Sequence, residues 1–251
     1  MNRPTRPPKQ SRKQKQPTVA YREYDSPRRL LRPPRRKPAL DELILGHAGL
    51  PRGAEPLAAM NYADELGLKR EALTEFARQH KLPAFAGIIP SPTPRFYRTT
   101  TNRRVVITHR GAALTFGDEQ PAGGYSLLEP DEHGRIYEFI GDFIGSRAMR
   151  KFAASLSHVI LRGSYTEFCL IFNISRRSAA LSALLTGASR ELSRHIPELV
   201  SALEFLDETR SDYYLDSEAK SARGAWKRLF GTGVFDVPAG SVVFRAPATV
   251  F

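Results

Sequence analysis

Two places in this chain combine aromatic and cationic side chains closely enough to do chemistry together. In the first, Phe96, Tyr97 and Arg98 stand beside Arg95, Arg103 and Arg104. In the second, Arg210 is followed by Tyr213 and Tyr214, with Lys227 and Arg228 further along. Aromatic faces stack on unpaired bases while cations hold phosphates, so this pairing is the chemistry of single-stranded nucleic-acid contact. The ordinary alternative is an aromatic in the core and an arginine on the surface. Catalytic sets are harder to find. The six histidines are scattered with no i,i+3 or i,i+4 pair, so they suggest no metal site. The single cysteine, Cys169, lies between Phe168 and Leu170 on an apolar run and reads as a buried small hydrophobe. With one cysteine there is no intramolecular disulfide and no cysteine cluster for zinc or iron–sulfur. No Gly-x-Gly-x-x-Gly follows a strand, and there is no Walker loop. Asp207, Glu208, Asp212 and Asp216 are close in sequence and read as a solvated, cap-forming turn rather than an acid/base pair.

The elements that must position these residues can be read from periodicity. Leu40, Leu43, Ile44 and Ala48 have helical spacing, as do Leu57, Met60 and Ala63, and then Leu73, Phe76 and Ala77 within 68–80. Gly49-Leu50-Pro51, Gly67 and Leu82-Pro83 read as stops. Residues 39–93 are therefore a short helical lead-in that ends in a proline-rich hinge at 87–94. Beyond it the texture changes. Strands are expected over 96–101, 104–108 and 112–116, with Arg110-Gly111 as a hairpin turn. Helices are expected over 129–144 and 147–156. The clearest strands are 158–162 and 166–173, joined tightly by Gly163-Ser164. The clearest helix is 178–195, with Leu181, Leu184, Leu185, Ala188 and Leu192 as its apolar stripe. A strand at 199–206 follows, and weaker ones lie near 226–230 and 242–244. This order predicts an α+β fold: a mixed or antiparallel sheet with flanking helices, residues 94–251 forming the main region.

Charge is distributed unevenly. Of 251 residues, the first 38 hold thirteen Lys/Arg against two Asp/Glu, which is +11 of the chain's net +12. Pro4, Pro7, Pro8, Pro17, Pro27, Pro33, Pro34 and Pro38 interrupt this segment and prevent a continuous helix. High charge and few apolar side chains make 1–38 an expected disordered basic tail whose natural partner is a polyanion. There is no apolar run of membrane-span length and no signal-peptide core, so the cytoplasm is the expected location and no membrane partner is expected.

Several motifs, in order, resemble the region before the cofactor domain of the bacterial class I S-adenosylmethionine-dependent RNA (uracil-C5) methyltransferases. Pro94 to Arg98 resembles the family's "YRN" opening, with Thr99 where asparagine is usual. Leu128-Glu129-Pro130 to Ile144 is similar to a helix with an "L-E-P…H-G-R-I-Y" pattern. Arg162 to Phe172 resembles an "RGSYTEF" strand pair, and Leu206 to Tyr214 an "L-D-x-T-R-S-D-Y-Y" segment. Lys227 to Gly231 and Pro247 to Phe251 resemble a "K-x-L-F-G" strand and a "P-P-T-x-F" strand. The resemblance implies an rRNA or tRNA substrate and S-adenosylmethionine as methyl donor. It places Tyr97 and Arg98 near RNA and matches Phe251 to an aromatic close to the target base. With Arg103, Arg104 and Arg210 these make up the expected RNA-binding set. The family's nucleophilic cysteine and its acidic partner belong to the cofactor domain, so Cys169 does not take that role. The expectation is a recognition half without its cofactor domain, binding no cofactor by itself, with that domain following in the chain or supplied by a separate chain. The alternative is a stand-alone, non-catalytic RNA-binding or ribosome-associated protein.

Overall fold

The computed structural model describes residues 37–50, 55–109, 111–116, 126–209, 215 and 224–249. Contacts divide the chain into Met1–Lys37 and Pro38–Phe251. The basic tail lies almost wholly outside the described residues, as do Arg210, Tyr213, Tyr214 and Phe251.

The second unit opens with two helices, α1 (Leu40–Ala48) and α2 (Tyr62–His80). Gly49 ends α1 in the left-handed conformation (φ 64°) that favours glycine. The sequence predicts a stop at Gly67, but α2 runs through it. Asn61 caps the helix by accepting from the Ala63 amide at 2.9 Å. The Glu65–Lys69 pair spans the glycine, and Glu75–Arg78 braces the helix further along. Such caps and pairs offset the roughly 1 kcal/mol that an interior glycine costs.

The main body is a six-stranded sheet in the order β2-β1-β3-β4-β5-β6. Its strands are β1 (Thr100–Thr108), β2 (Gly111–Thr115), β3 (Leu156–Gly163), β4 (Phe168–Ile174), β5 (Leu199–Leu206) and β6 (Trp226–Phe230). All neighbours are antiparallel except β4 and β5, which are parallel and joined by helix α4 (Ala179–His195). Helix α3 (Asp131–Gly145) connects β2 to the turn that leads into β3. This is the mixed α+β sheet with flanking helices expected from the sequence.

Alternation along the strands sorts the core into two layers. Val159 and Leu161, Phe168, Leu170 and Phe172, and Ala202 pack against Ile136, Ile140 and Ile144 of α3 and Leu181, Leu185 and Leu192 of α4. Ile160, Cys169, Ile171, Leu203 and Phe205 face the other way, against Phe235. Phe235 belongs to a separate hairpin of β7 (Val234–Ala239) and β8 (Val242–Pro247). Covering both faces leaves every residue of β4 buried. Each fully buried phenylalanine in it contributes about 2–3 kcal/mol of transfer free energy.

Four further local expectations change. Residues 56–59 form turns, so of the helical spacing read over Leu57, Met60 and Ala63 only Ala63 lies in a helix, α2. One continuous strand, β1, replaces the two expected over 96–101 and 104–108. Residues 147–152 form turns that lead into a 3-10 segment, Ala153–Ser155, where a helix was expected. β7 was not anticipated, because Pro238 near its end masks the strand pattern.

Candidate nucleic-acid interface

The segment 94–99 is the entry to β1, and backbone pairing fixes it. The Phe96 amide donates to the Leu127 carbonyl at 3.1 Å, and the Arg98 amide to that of Leu128 at 2.8 Å. Phe96 adopts φ 56°, a left-handed backbone uncommon for a bulky residue and costing about 1–2 kcal/mol. Its ring and the next are both open to solvent: Phe96 is 43% exposed and Tyr97 46%. Tyr165, at 61%, joins them from the β3–β4 turn and donates its hydroxyl to the Tyr97 carbonyl at 3.4 Å. Leu127 extends the patch and is also exposed.

The turn that carries Tyr165 is built tightly. Ser164 Oγ accepts the amides of Thr166 and Glu167, each at 3.2 Å. A Cβ on Gly163 would lie 2.1 Å from the Glu167 carbonyl, so the position requires glycine. Glu167 in turn accepts the Asp236 amide at 2.6 Å, tying the turn to β7.

The arginines beside these rings are held by the helical lead-in. Arg95 donates to the Met60 carbonyl at 2.8 Å and pairs with Glu65 at 2.8 Å. Arg98 pairs with Glu55 at 3.0 Å, and Glu55 also accepts from Ser126 Oγ. The Ser91 amide donates to Tyr62 Oη at 2.7 Å. Between lead-in and loop lies a cleft of about 700 Å³, lined by Tyr62, Lys69, Arg95 and Tyr97 among others. Burial alone would raise the Glu65 carboxyl, but its bonds to Lys69 and Arg95 outweigh this and hold it below the usual carboxylate range.

Arg103 requires a correction. It is 5% exposed, and its guanidinium makes a two-bond pair with Glu129 at 3.0 and 2.7 Å. The rings of Tyr137 and Phe116 lie 4.2 and 4.4 Å from it. Strand alternation turns this residue toward α3, so its guanidinium is buried against Glu129 rather than presented on the surface. Its neighbours form a buried polar cluster: Thr101 Oγ1 meets both His133 Nδ1 and Tyr137 Oη at 2.9 Å. Burial, with help from Arg103, pushes the His133 imidazole down to about 3. Burial also raises the Tyr137 phenol. Arg104 is exposed. Of the sequence-derived set, the structure brings Tyr97 and Arg98 together, separates Arg103 from them, and does not describe Arg210 or Phe251. Sequence reasoning missed Tyr165. The Gly-Ser-Tyr-Thr run between two strands was the available signal, since a tight turn exposes its middle residues.

Other candidates resolve simply. Cys169 is buried and its thiol is pushed up to about 12 by burial, so it is protonated at neutral pH. Asp207 is buried rather than solvated, and caps its turn by accepting from the Thr209 amide and hydroxyl. Among the described residues, no group of three His, Cys, Asp or Glu is arranged to hold a metal. Among the described residues, the loop that opens the parallel β4–α4–β5 unit does not fit S-adenosylmethionine. The parallel β4–α4–β5 unit has no glycine in its 175–178 loop. Arg177 is committed there to Glu204 at 3.1 Å and to the carbonyls of Gly224 and Ala225.

No protein-family model matches the sequence, and no curated protein matches it. The fold is similar to that of Pyrococcus abyssi tRNA (uracil-54, C5)-methyltransferase, solved in complex with S-adenosyl-L-homocysteine. The TM-score is 0.51 at 17% identity, covering 80% of this chain and 46% of that enzyme. The chain thus spans about half the length of the enzyme it matches.

Proposed function

We propose that this chain is the RNA-recognition part of an S-adenosylmethionine-dependent RNA (uracil-C5) methyltransferase acting on rRNA or tRNA. In this reading Phe96, Tyr97 and Tyr165 form a surface on which unpaired bases stack. Arg98, 39% exposed beside its Glu55 partner, stands next to it, and Arg104, exposed further along β1, is a further proposed RNA contact. The carrying observation is the cluster of three exposed aromatics, one held in a strained backbone conformation and two joined by a hydrogen bond. The fold likeness to a tRNA methyltransferase supports the same reading. The described residues bind and orient RNA, and methyl transfer is assigned to none of them. Arg210 and Phe251, outside the described residues, belong to the proposed RNA contacts by family resemblance alone. The cytoplasm is the proposed location; among the described residues no helix is long and apolar enough to cross a membrane.

The test is RNA affinity of the full chain carrying Tyr97→Ala or Tyr165→Ala. Each change should cost about 1–3 kcal/mol of binding, the range for a base-stacking aromatic. Folding stability should move by no more than about 0.5 kcal/mol, as for other surface changes. Unaltered RNA affinity in both variants would remove the stacking surface. Methylation of RNA by the purified chain alone would overturn its assignment as a recognition part. RNA binding with no dependence on any cofactor-bearing chain would favour a stand-alone RNA-binding protein.

A further inference from the structure

At the far end of β1 from the aromatic loop lies a second feature. Arg147, Arg150 and Lys151 fall within five residues, in the turn after α3, and all three are exposed. Among the described residues none has a carboxylate partner, whereas Arg95, Arg98, Arg103 and Arg177 are each paired with a glutamate. The nearest acidic residue along α3, Asp142, forms no ion pair with them.

The turn is firmly anchored. The Met149 amide donates to the Ser146 carbonyl, and the Phe152 amide to that of Met149. Met149 is fully buried. Lys151 sits over the Phe152 ring at 4.9 Å. Arg150 lines a cleft of about 350 Å³ that also takes in Ile107, His109 and Ala112 at the β1–β2 turn. A fixed backbone carrying free cations beside a cleft is a preorganised anion surface.

We infer that this turn is a second RNA contact, holding phosphates while the aromatic loop holds bases. The inference rests on the proposed function. β1 has nine residues, so the two ends lie roughly 26–30 Å apart. A ligand that reaches both is a folded RNA, not a nucleotide or a very short strand.

The experiment compares the full chain, the variant Arg147→Gln/Arg150→Gln/Lys151→Gln and the variant Tyr97→Ala/Tyr165→Ala. The probes are bulk tRNA and a single-stranded uridine trimer, each over a series of salt concentrations. The basic tail is common to all three proteins and cancels in the comparison. The glutamine variant should flatten the slope of log affinity against log salt for tRNA by about 2, from the loss of three phosphate contacts. Its binding of the trimer should be unchanged. An unchanged tRNA slope would overturn the inference and leave the cations as complements to the negative end of α3. If only the tyrosine variant loses affinity, the stacking surface stands and the second contact falls. If only the glutamine variant does, the reverse holds. If the unaltered chain binds neither probe, both fall.

Discussion

Arg103 and Arg98 lie five residues apart, both beside aromatic rings and both paired to a glutamate, yet they do opposite work. Arg103 is enclosed by Tyr137, Phe116 and Glu129, and only 5% of it is exposed. Arg98 keeps 39% of its side chain exposed and stands next to rings that face outward. The same residue types thus build a bolt in one place and an outward-facing cluster in the other. What separates them is the strand. Within β1 the pleat drives alternate residues into the α3 layer, while the irregular segment before it obeys no such alternation. Aromatic and basic content alone therefore does not identify a ligand surface; backbone regularity decides which copy is spent on stability.

The largest test of this contrast is Arg103→Ala. It strands the Glu129 charge in the core and should cost about 3–5 kcal/mol in chemical denaturation. The double change Arg103→Met/Glu129→Leu should recover most of that loss. If Arg103→Ala were harmless while RNA binding fell, the division between bolt and surface would be wrong.

The next effect is on pH dependence. His133 has a folded-state value lowered to about 3 from an ordinary 6.5, so burial favours its neutral form. Its contribution, on the order of a few kcal/mol, is present above pH 6.5 and disappears as pH falls from there toward 3. The stability gap between the native chain and His133→Gln should hold steady above pH 6.5 and shift as pH drops below it. A gap that stays constant down to pH 3 would contradict a neutral, buried imidazole.

Gly163→Ala should cost about 2 kcal/mol, because its new Cβ meets the Glu167 carbonyl of its own turn. It should also displace Tyr165 and so weaken RNA binding, linking stability and recognition at one position. Phe96→Gly separates the two. It relieves the left-handed strain and should leave stability unchanged or raise it by up to about 1 kcal/mol. RNA affinity should nonetheless fall by about 1–3 kcal/mol. The smallest effect belongs to Gly67→Ala. A Cβ there meets nothing within 4 Å. The helix should gain up to about 1 kcal/mol with no change in RNA affinity.

Much of this was legible before the structure. The stripe of Leu181, Leu185, Ala188 and Leu192 gave α4, and the alternation through Val159 and Leu161 and then Phe168 to Phe172 gave the two central strands. The class of fold followed from their order. Arg103 was misplaced because a charged residue signals solvent unless its partner is known, and Glu129 lies twenty-six positions away. Gly67 was read as a stop because propensity is local, whereas the Glu65–Lys69 pair that spans it appears only once the helix exists. Tyr165 was overlooked because its exposure comes from the geometry of a turn, and the turn is set by Gly163 and Ser164.

The position of β4 has one more consequence. It is paired along its length with β3 on one side and β5 on the other, and no residue of it reaches solvent. β2 and β6 are the sheet's outer strands, with one neighbour each. In deuterated water the amides of β4 should therefore keep their protons longest and report global unfolding, while the outer strands should exchange through partial opening. The sheet thus carries its own internal clock, by which the unfolding of the whole can be told from the fraying of its edges.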